Sequence, residues 1–166
     1  MVMPASSMGA HISAVPNHQI GRITSLKTRG NVAMAGQFGY ELDLNTLTDE
    51  EIETVKEQII QYKEIREVIH KGDMYRLKSP FECMNTAWEY VYEDTVVLMY
   101  FTMLTRCQLG KICVKLCGLD EKAQYIEKNS KRQYSGSYLM NVGLYFDNSE
   151  EFNSKVLIFD KEKSCL

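Results

Sequence analysis

Between Thr48 and Lys71 the apolar residues Ile52, Val55, Ile59, Tyr62, Ile65 and Ile69 recur at steps of three and four. That spacing places them on one stripe of an α-helix, with Lys56, Lys63 and Glu64 off the stripe. Thr48 and Glu51 fit a capping box, in which each side chain satisfies an otherwise unpaired backbone N–H of the first turn. Asp49, Glu50 and Glu51 suit the positive end of the helix dipole, and Lys71 suits the other end. Gly72 is a natural terminator. The pattern predicts a helix over about residues 49–70.

After Gly72 the period changes to two. Asp73–Leu77 reads as a strand stopped by Ser79-Pro80. In Ala87–Tyr92 the side chains of Trp88, Tyr90 and Tyr92 fall on one face and Glu89 on the other. Glu93-Asp94 has the length of a hairpin turn. Thr95–Leu104 is apolar on both faces, as a central strand is. Lys111–Leu116, Ala123–Glu127, Tyr138–Phe146 and Lys155–Phe159 complete an antiparallel β-domain of about six to eight strands. Before residue 48 the signals are weaker. Pro16-Asn17 and Gly21 mark turns, and Thr24 or Ser25 caps a short helix from about Leu26 to Ala35. Gly30 and Asn31 are poor helix formers, so tertiary packing has to hold that helix.

Composition narrows the classes. The chain has 166 residues, 45% hydrophobic and 25% charged, with a net charge of −3. That is an ordinary globular balance without the basic surface that nucleic acid requires. The longest apolar run, Val96 to Leu104, falls far short of the roughly 20 residues of a membrane span. Residues 1–15 lack the charge and apolar core of a signal peptide. The five cysteines, Cys83, Cys107, Cys113, Cys117 and Cys165, form no disulfide framework. Cys113 and Cys117 have no second Cys/His pair nearby, so neither a metal nor a cofactor is expected. Together these features point to a cytoplasmic protein with no nucleic-acid or membrane partner.

Four blocks stand out in order: SSMGAHISAVPNHQIGR from Ser6, TRGNVAMAGQFGYELDLNTLTDEE from Thr28, VKEQIIQYKEIREVIHKGDMYRLKSPFE from Val55 and YSGSYLMNVGL from Tyr134. Together they resemble the bacterial-type α-galactosidases of glycoside hydrolase family 36. One departure is Ser137-Tyr138, where that family usually carries an acidic pair. The resemblance implies an α+β chain. Residues 1–72 would be the end of a (β/α)8 barrel, its last strand and helices. Residues 73–166 would form a sandwich-like antiparallel β-sheet domain.

The same resemblance implies retaining hydrolysis of terminal α-galactosides, such as melibiose- and raffinose-type sugars, in the full-length enzymes. Such chemistry uses two carboxylates about 5–5.5 Å apart. In the family both aspartates lie before the position matching Met1, so no catalytic residue is carried onto this chain. His11, Asn17, His18 and Arg22 fall near the face where such barrels hold their sites. They are candidate substrate contacts, against the simpler reading that they brace a loop.

Two further features invite a chemical reading. Glu41 and Asp43 are two apart, but as a carboxylate pair they lack any sign of a pocket. Trp88, Tyr90 and Tyr92 can stack on sugar rings, although alternating aromatics on a strand more often pack a sheet. The expected role is that of a C-terminal region supporting the barrel and subunit assembly, inactive alone. A non-catalytic carbohydrate-binding or oligomerisation domain is the alternative. Apolar residues before position 46, including Ile12, Val15, Ile20, Val32, Met34 and Phe38, predict self-association when no barrel covers them.

Overall fold

A computed structural model describes residues 3–105 and 110–162. Cys107 and Cys165 lie outside the described residues. The chain divides at Lys71/Gly72 into two compact units. Among the described residues no helix is long and apolar enough to cross a membrane.

The first unit runs β1 (Gly9–Ser13), α1 (Leu26–Ala33), β2 (Gln37–Glu41) and α2 (Asp49–Lys71). The capping box forms as expected: Thr48 Oγ1 accepts from the Glu51 amide at 3.3 Å, and Glu51 Oε2 accepts from the Thr48 amide at 3.0 Å. Helix α1 starts at Ser25, whose hydroxyl accepts from the Thr28 amide. Strands β1 and β2 pair in parallel, Gly9 opposite Gln37 through Ser13 opposite Glu41. Ile12, Leu26, Ala33 and Val55 form the buried centre, with Phe38, Tyr40 and Ile59 packed against it.

Packing explains the poor helix formers of α1. Gln58, buried on α2, donates through Nε2 to the Leu26 carbonyl at 3.0 Å and accepts from the Tyr40 hydroxyl at 2.7 Å. A Cβ on Gly30 would lie 2.2 Å from Gln58 Nε2. Any larger residue there would displace an amide that makes two hydrogen bonds, each worth about 1 kcal/mol. Tertiary contact overrides the cost of about 1 kcal/mol for glycine inside a helix. Burial also pushes the Tyr40 hydroxyl up to about 12.

The second unit is a sandwich of two sheets. Six antiparallel strands lie in the order β3-β4-β5-β10-β7-β8: β3 (Asp73–Lys78), β4 (Asn85–Tyr92), β5 (Thr95–Thr102), β7 (Gln124–Glu127), β8 (Gln133–Ser135) and β10 (Asn153–Lys161). A second pair, β6 (Ile112–Val114) and β9 (Leu144–Phe146), supplies Val114 and Phe146 to the same core as Leu98, Tyr100 and Phe159. Val96 to Phe101 of β5 are all buried, as the two-sided apolar pattern implies. At one end of the sheet Asn85 Nδ2 lies 2.8 Å from the Tyr100 hydroxyl, 3.1 Å from Thr102 Oγ1 and 2.8 Å from Asn148 Oδ1. The bond to Asn148 fastens the segment after β9 to the sheet.

One expectation needs correction. Tyr138–Phe146 is not one strand: α3 (Gly136–Asn141) occupies its first part, and only Leu144–Phe146 is extended. The Ser135 hydroxyl caps the helix by accepting from the Tyr138 amide at 3.0 Å, and Gly143 ends it at φ +85°. The helix brings Leu139 into the core with no exposure. The alternation of Tyr138, Met140 and Val142 looked like a strand only because a six-residue helix is too short to show its own period.

Glu89 falls on the face of β4 opposite Trp88, as the period of two implies, but its surroundings carry a cost the pattern does not show. It shares a face of β4 with Ala87 and is fully buried. Its Oε1 accepts from the Cys117 amide at 2.6 Å, while Oε2 finds no hydrogen-bond partner among the described residues. Desolvation pushes its carboxyl up to about 8, against the lowering effect of the Cys117 amide.

A carboxyl raised in the folded state favours folding fully below its unfolded pKa of about 4.5 and loses that contribution as pH climbs to its folded value. Glu89 therefore costs stability progressively from about pH 4.5 to about pH 8, at roughly 1.4 kcal/mol per pH unit. Glu89→Gln keeps an acceptor for Cys117 and removes the charge. The variant is expected to gain stability over the parent by on the order of 3 kcal/mol between pH 5 and pH 8 in urea titrations. Parallel pH profiles for the two proteins would contradict it.

Candidate functional site

The candidate residues lie on β1 and the loop that links it to α1. His11 projects from the exposed side of β1 and pairs with Glu41 of β2 at 3.4 Å. Asn17 braces the loop. Its Oδ1 accepts from the amides of Gln19 and Ile20 at 3.1 and 3.2 Å. Its own amide donates to the Arg22 carbonyl at 2.9 Å, and its carbonyl accepts from Gly21 at 2.8 Å. Through Oδ1 and its own backbone Asn17 holds the turn, while its side-chain Nδ2 supplies none of these bonds. His18 is exposed on the same turn.

A cavity of about 350 Å³ opens beside β1, lined by His11, Asn17 and Arg22 along with Ile12, Val15 and Val32. His18 is absent from its lining. The structure thus gathers three of the four candidates around one opening and leaves the fourth outside.

Arg29 is the residue that the sequence did not single out. From α1 its Nε donates to the Thr24 carbonyl at 3.0 Å, and Nη1 donates to the Ser13 carbonyl. One guanidinium therefore ties the end of β1, the end of the loop and the helix together. Burial pulls its pKa below the usual arginine value, and the Glu51 carboxylate opposes that shift. In the sequence Arg29 is one member of the cluster from Arg22, with no spacing that marks it.

Chemistry of a retaining glycosidase needs two carboxylates around an open site, one of them with a raised pKa. The described residues of this region do not assemble such a pair. Glu41 is engaged with His11. Asp43 Oδ1 accepts from the backbone and side-chain nitrogens of Asn45 at 2.9 and 2.8 Å and caps a single 3-10 turn. Glu89 has the raised pKa but is sealed in the β-domain. No cluster of three or more metal-ligating side chains occurs among the described residues. Trp88 stacks on Phe101 with ring centroids 4.9 Å apart, and Tyr90 is buried. Both rings are used in packing the sheet.

The melibiase family model matches residues 1–72, and that of the glycosyl hydrolase family 36 C-terminal domain matches residues 85–159. The chain belongs to glycoside hydrolase family 36. The α-galactosidase AgaA of Geobacillus stearothermophilus is 45% identical over 146 residues, which are 87% of this chain and 20% of the relative. The bifunctional α-galactosidase/sucrose kinase AgaSK of Mediterraneibacter gnavus is 46% identical over 143 residues, 85% of this chain and 15% of that protein. The solved galactosidase domain of AgaSK superposes with a TM-score of 0.91 at 42% identity, covering 96% of this chain and 22% of that one. A Geobacillus AgaA variant solved with raffinose gives the same score at 41% identity and the same coverage. This family 36 chain thus spans about a fifth of the length of the relatives it matches.

Arg29→Ala is expected to destabilise the first unit by about 1.5–3 kcal/mol, the range for hydrogen bonds to charged groups. It should also open the loop around Asn17 to protease. Lysine cannot reproduce the forked geometry and should not rescue. His18→Ala, at an exposed position, should stay within about 0.5 kcal/mol of the parent. Equal proteolysis of parent and Arg29→Ala would show that the guanidinium does not hold the loop.

Proposed function

We propose that this chain is the C-terminal region of a retaining α-galactosidase, closing the catalytic barrel and carrying the β-domain, with the reacting carboxylates outside its own sequence. The observation that supports this most directly is the pairing of two family-model matches in order with a TM-score of 0.91 over 96% of the chain. Substrates of the assembled enzyme are terminal α-galactosides, a class to which raffinose and stachyose, bound in solved relatives, belong. The role of residues on β1 and its loop is support: Asn17 and Arg29 fix the backbone near the barrel face, and the chemistry comes from elsewhere.

Cytoplasmic placement fits the free thiols of Cys83, Cys113 and Cys117. Self-association of the chain alone follows from its exposed apolar residues, among them Ile20 at 66% and Ile23 at 71% exposure.

Two assays test the proposal. The chain alone is expected to show no turnover of an aryl α-galactoside above the uncatalysed rate. A covalent chimera, in which this chain replaces the matching part of the Geobacillus enzyme, should hydrolyse raffinose. Turnover by the chain alone near that of the intact relative would contradict the proposal and direct attention to Glu41 and Asp43. A folded but inactive chimera would contradict the supporting role.

A further inference from the structure

Between β6 and β7 the chain forms neither helix nor strand, and it is tied to α3 at two points. The Leu116 amide donates to the Leu139 carbonyl at 3.0 Å, and the Ser137 amide donates to the Glu121 carbonyl at 3.0 Å. Between these ties lies the short stretch Cys117–Asp120. Glu89 Oε1 accepts from its Cys117 amide at 2.6 Å, and the Tyr125 hydroxyl accepts from its Asp120 amide at 3.0 Å. Gly118 sits at φ +68° against Tyr75: a Cβ there would lie 2.6 Å from the phenol oxygen. Cys117 and Gly118 are exposed, while Leu119 is turned into the core.

The carboxyl beneath this stretch is the weak point of its attachment. Glu89 has no exposure, and its cross-strand neighbours are Tyr75 of β3 and Leu98 of β5. Among the described residues Oε2 has no hydrogen-bond partner, and no cation offsets a charge on the group. On the same face β3 carries Asp73 and, past a bulge, Lys78. β5 carries Tyr100, whose hydroxyl accepts from Asn85. On β7 the Glu127 carboxylate is bonded to the amides of Asn129 and Ser130. On β10 Lys161 pairs with Asp120 at 3.1 Å, and Lys155 lies over the Phe146 ring. The stretch itself brings the Cys117 thiol, flanked by exposed Lys115, Glu121 and Lys122. An ionised carboxylate held there with one donor is costly, and water is what would relieve it.

We propose that Cys117–Asp120 is a pH-sensitive strap, which lifts locally from the sheet when Glu89 ionises and admits water to the carboxylate while Leu116 and Glu121 stay tied to α3. Gly118 gives the backbone the freedom to move, because glycine leaves the left-handed region without steric cost. Lifting the strap exposes Leu119 and the ring of Tyr75, and that apolar exposure keeps it shut at low pH. The Glu89 carboxyl titrates at about 8 when covered and near its ordinary 4.5 when hydrated. The open form therefore gains on the closed one from about pH 4.5 to about pH 8, and the gain levels off above that. The movement is confined to the β-domain and needs neither a sugar nor the rest of an enzyme. It is separate from global unfolding, since the sheet stays intact.

Amide exchange on the full chain, corrected for the intrinsic rate at each pH, tests the strap. Protection of the Cys117 amide should fall about tenfold per pH unit between pH 5 and pH 8. It should change little in dilute urea, because a local opening exposes little surface. Glu89→Gln has no charge to gain and should flatten the pH profile. Gly118→Ala sets a Cβ against Tyr75 and should lower Cys117 protection at every pH, with the pH slope kept. Cys117 protection equal to that of Leu98 and falling as steeply with urea at pH 8 would overturn the proposal, because Glu89 would then ionise only on global unfolding. So would a pH slope at Cys117 that survives in Glu89→Gln. Should Glu89→Gln not fold, the parent and Gly118→Ala decide: Cys117 exchanging at the rate of β5 in both would overturn the strap, and faster, urea-insensitive exchange with the tenfold slope would uphold it.

Discussion

The ladder between β1 and β2 governs what the first unit can be. Parallel strands need a crossover to join them and further cover to keep them, and here a single crossover through α1 supplies one side of that cover. Ile12 meets Leu26, Ala33 and Val55, so the helix side is complete. Gln58 fits against Gly30 there with both ends of its amide bonded, which fixes α1 on α2. The opposite side carries an exposed contact between His11 and Glu41 at 3.4 Å, and exposed polar contacts of this kind contribute about 0–1 kcal/mol. Among the described residues the packing of this unit is concentrated on the helix side.

The β-domain is under no such constraint. β5 lies between β4 and β10 with Val96 to Phe101 buried, and the β6–β9 pair closes the core. Among its described residues Glu89 is a costly element. A buried carboxyl with a single backbone donor is destabilising relative to an apolar residue, but it ties the segment at Cys117 to the sheet. The two units thus differ in how fully their described residues are buried.

Much of this was legible in the residues. The helix 49–71 declared itself because a capping box and a 3.6-residue stripe agree over 23 residues. β5 did so because apolar residues on both faces fit only a central strand. Shorter elements hid. β8 has three residues and α3 six, too few for any period. The burial of Glu89 hid because its position in the alternation gives its face and not what covers that face. Arg29 was invisible because its partners are carbonyls of Ser13 and Thr24, which no side-chain pattern encodes. The family resemblance placed the candidate residues on β1 and its loop, but the hydrogen bonds by which Asn17 holds the turn were not legible in it.

Native-state amide hydrogen exchange on the isolated chain tests the contrast between the units most directly. Amides of β5 and the flanking parts of β4 and β10 should exchange only through global unfolding of the β-domain. Those of β1 should exchange through local opening, at a free energy several kcal/mol lower. Protection of the Ala10 and Ile12 amides equal to that of the Leu98 and Tyr100 amides would contradict the account, because the first unit would then be as stable as the β-domain.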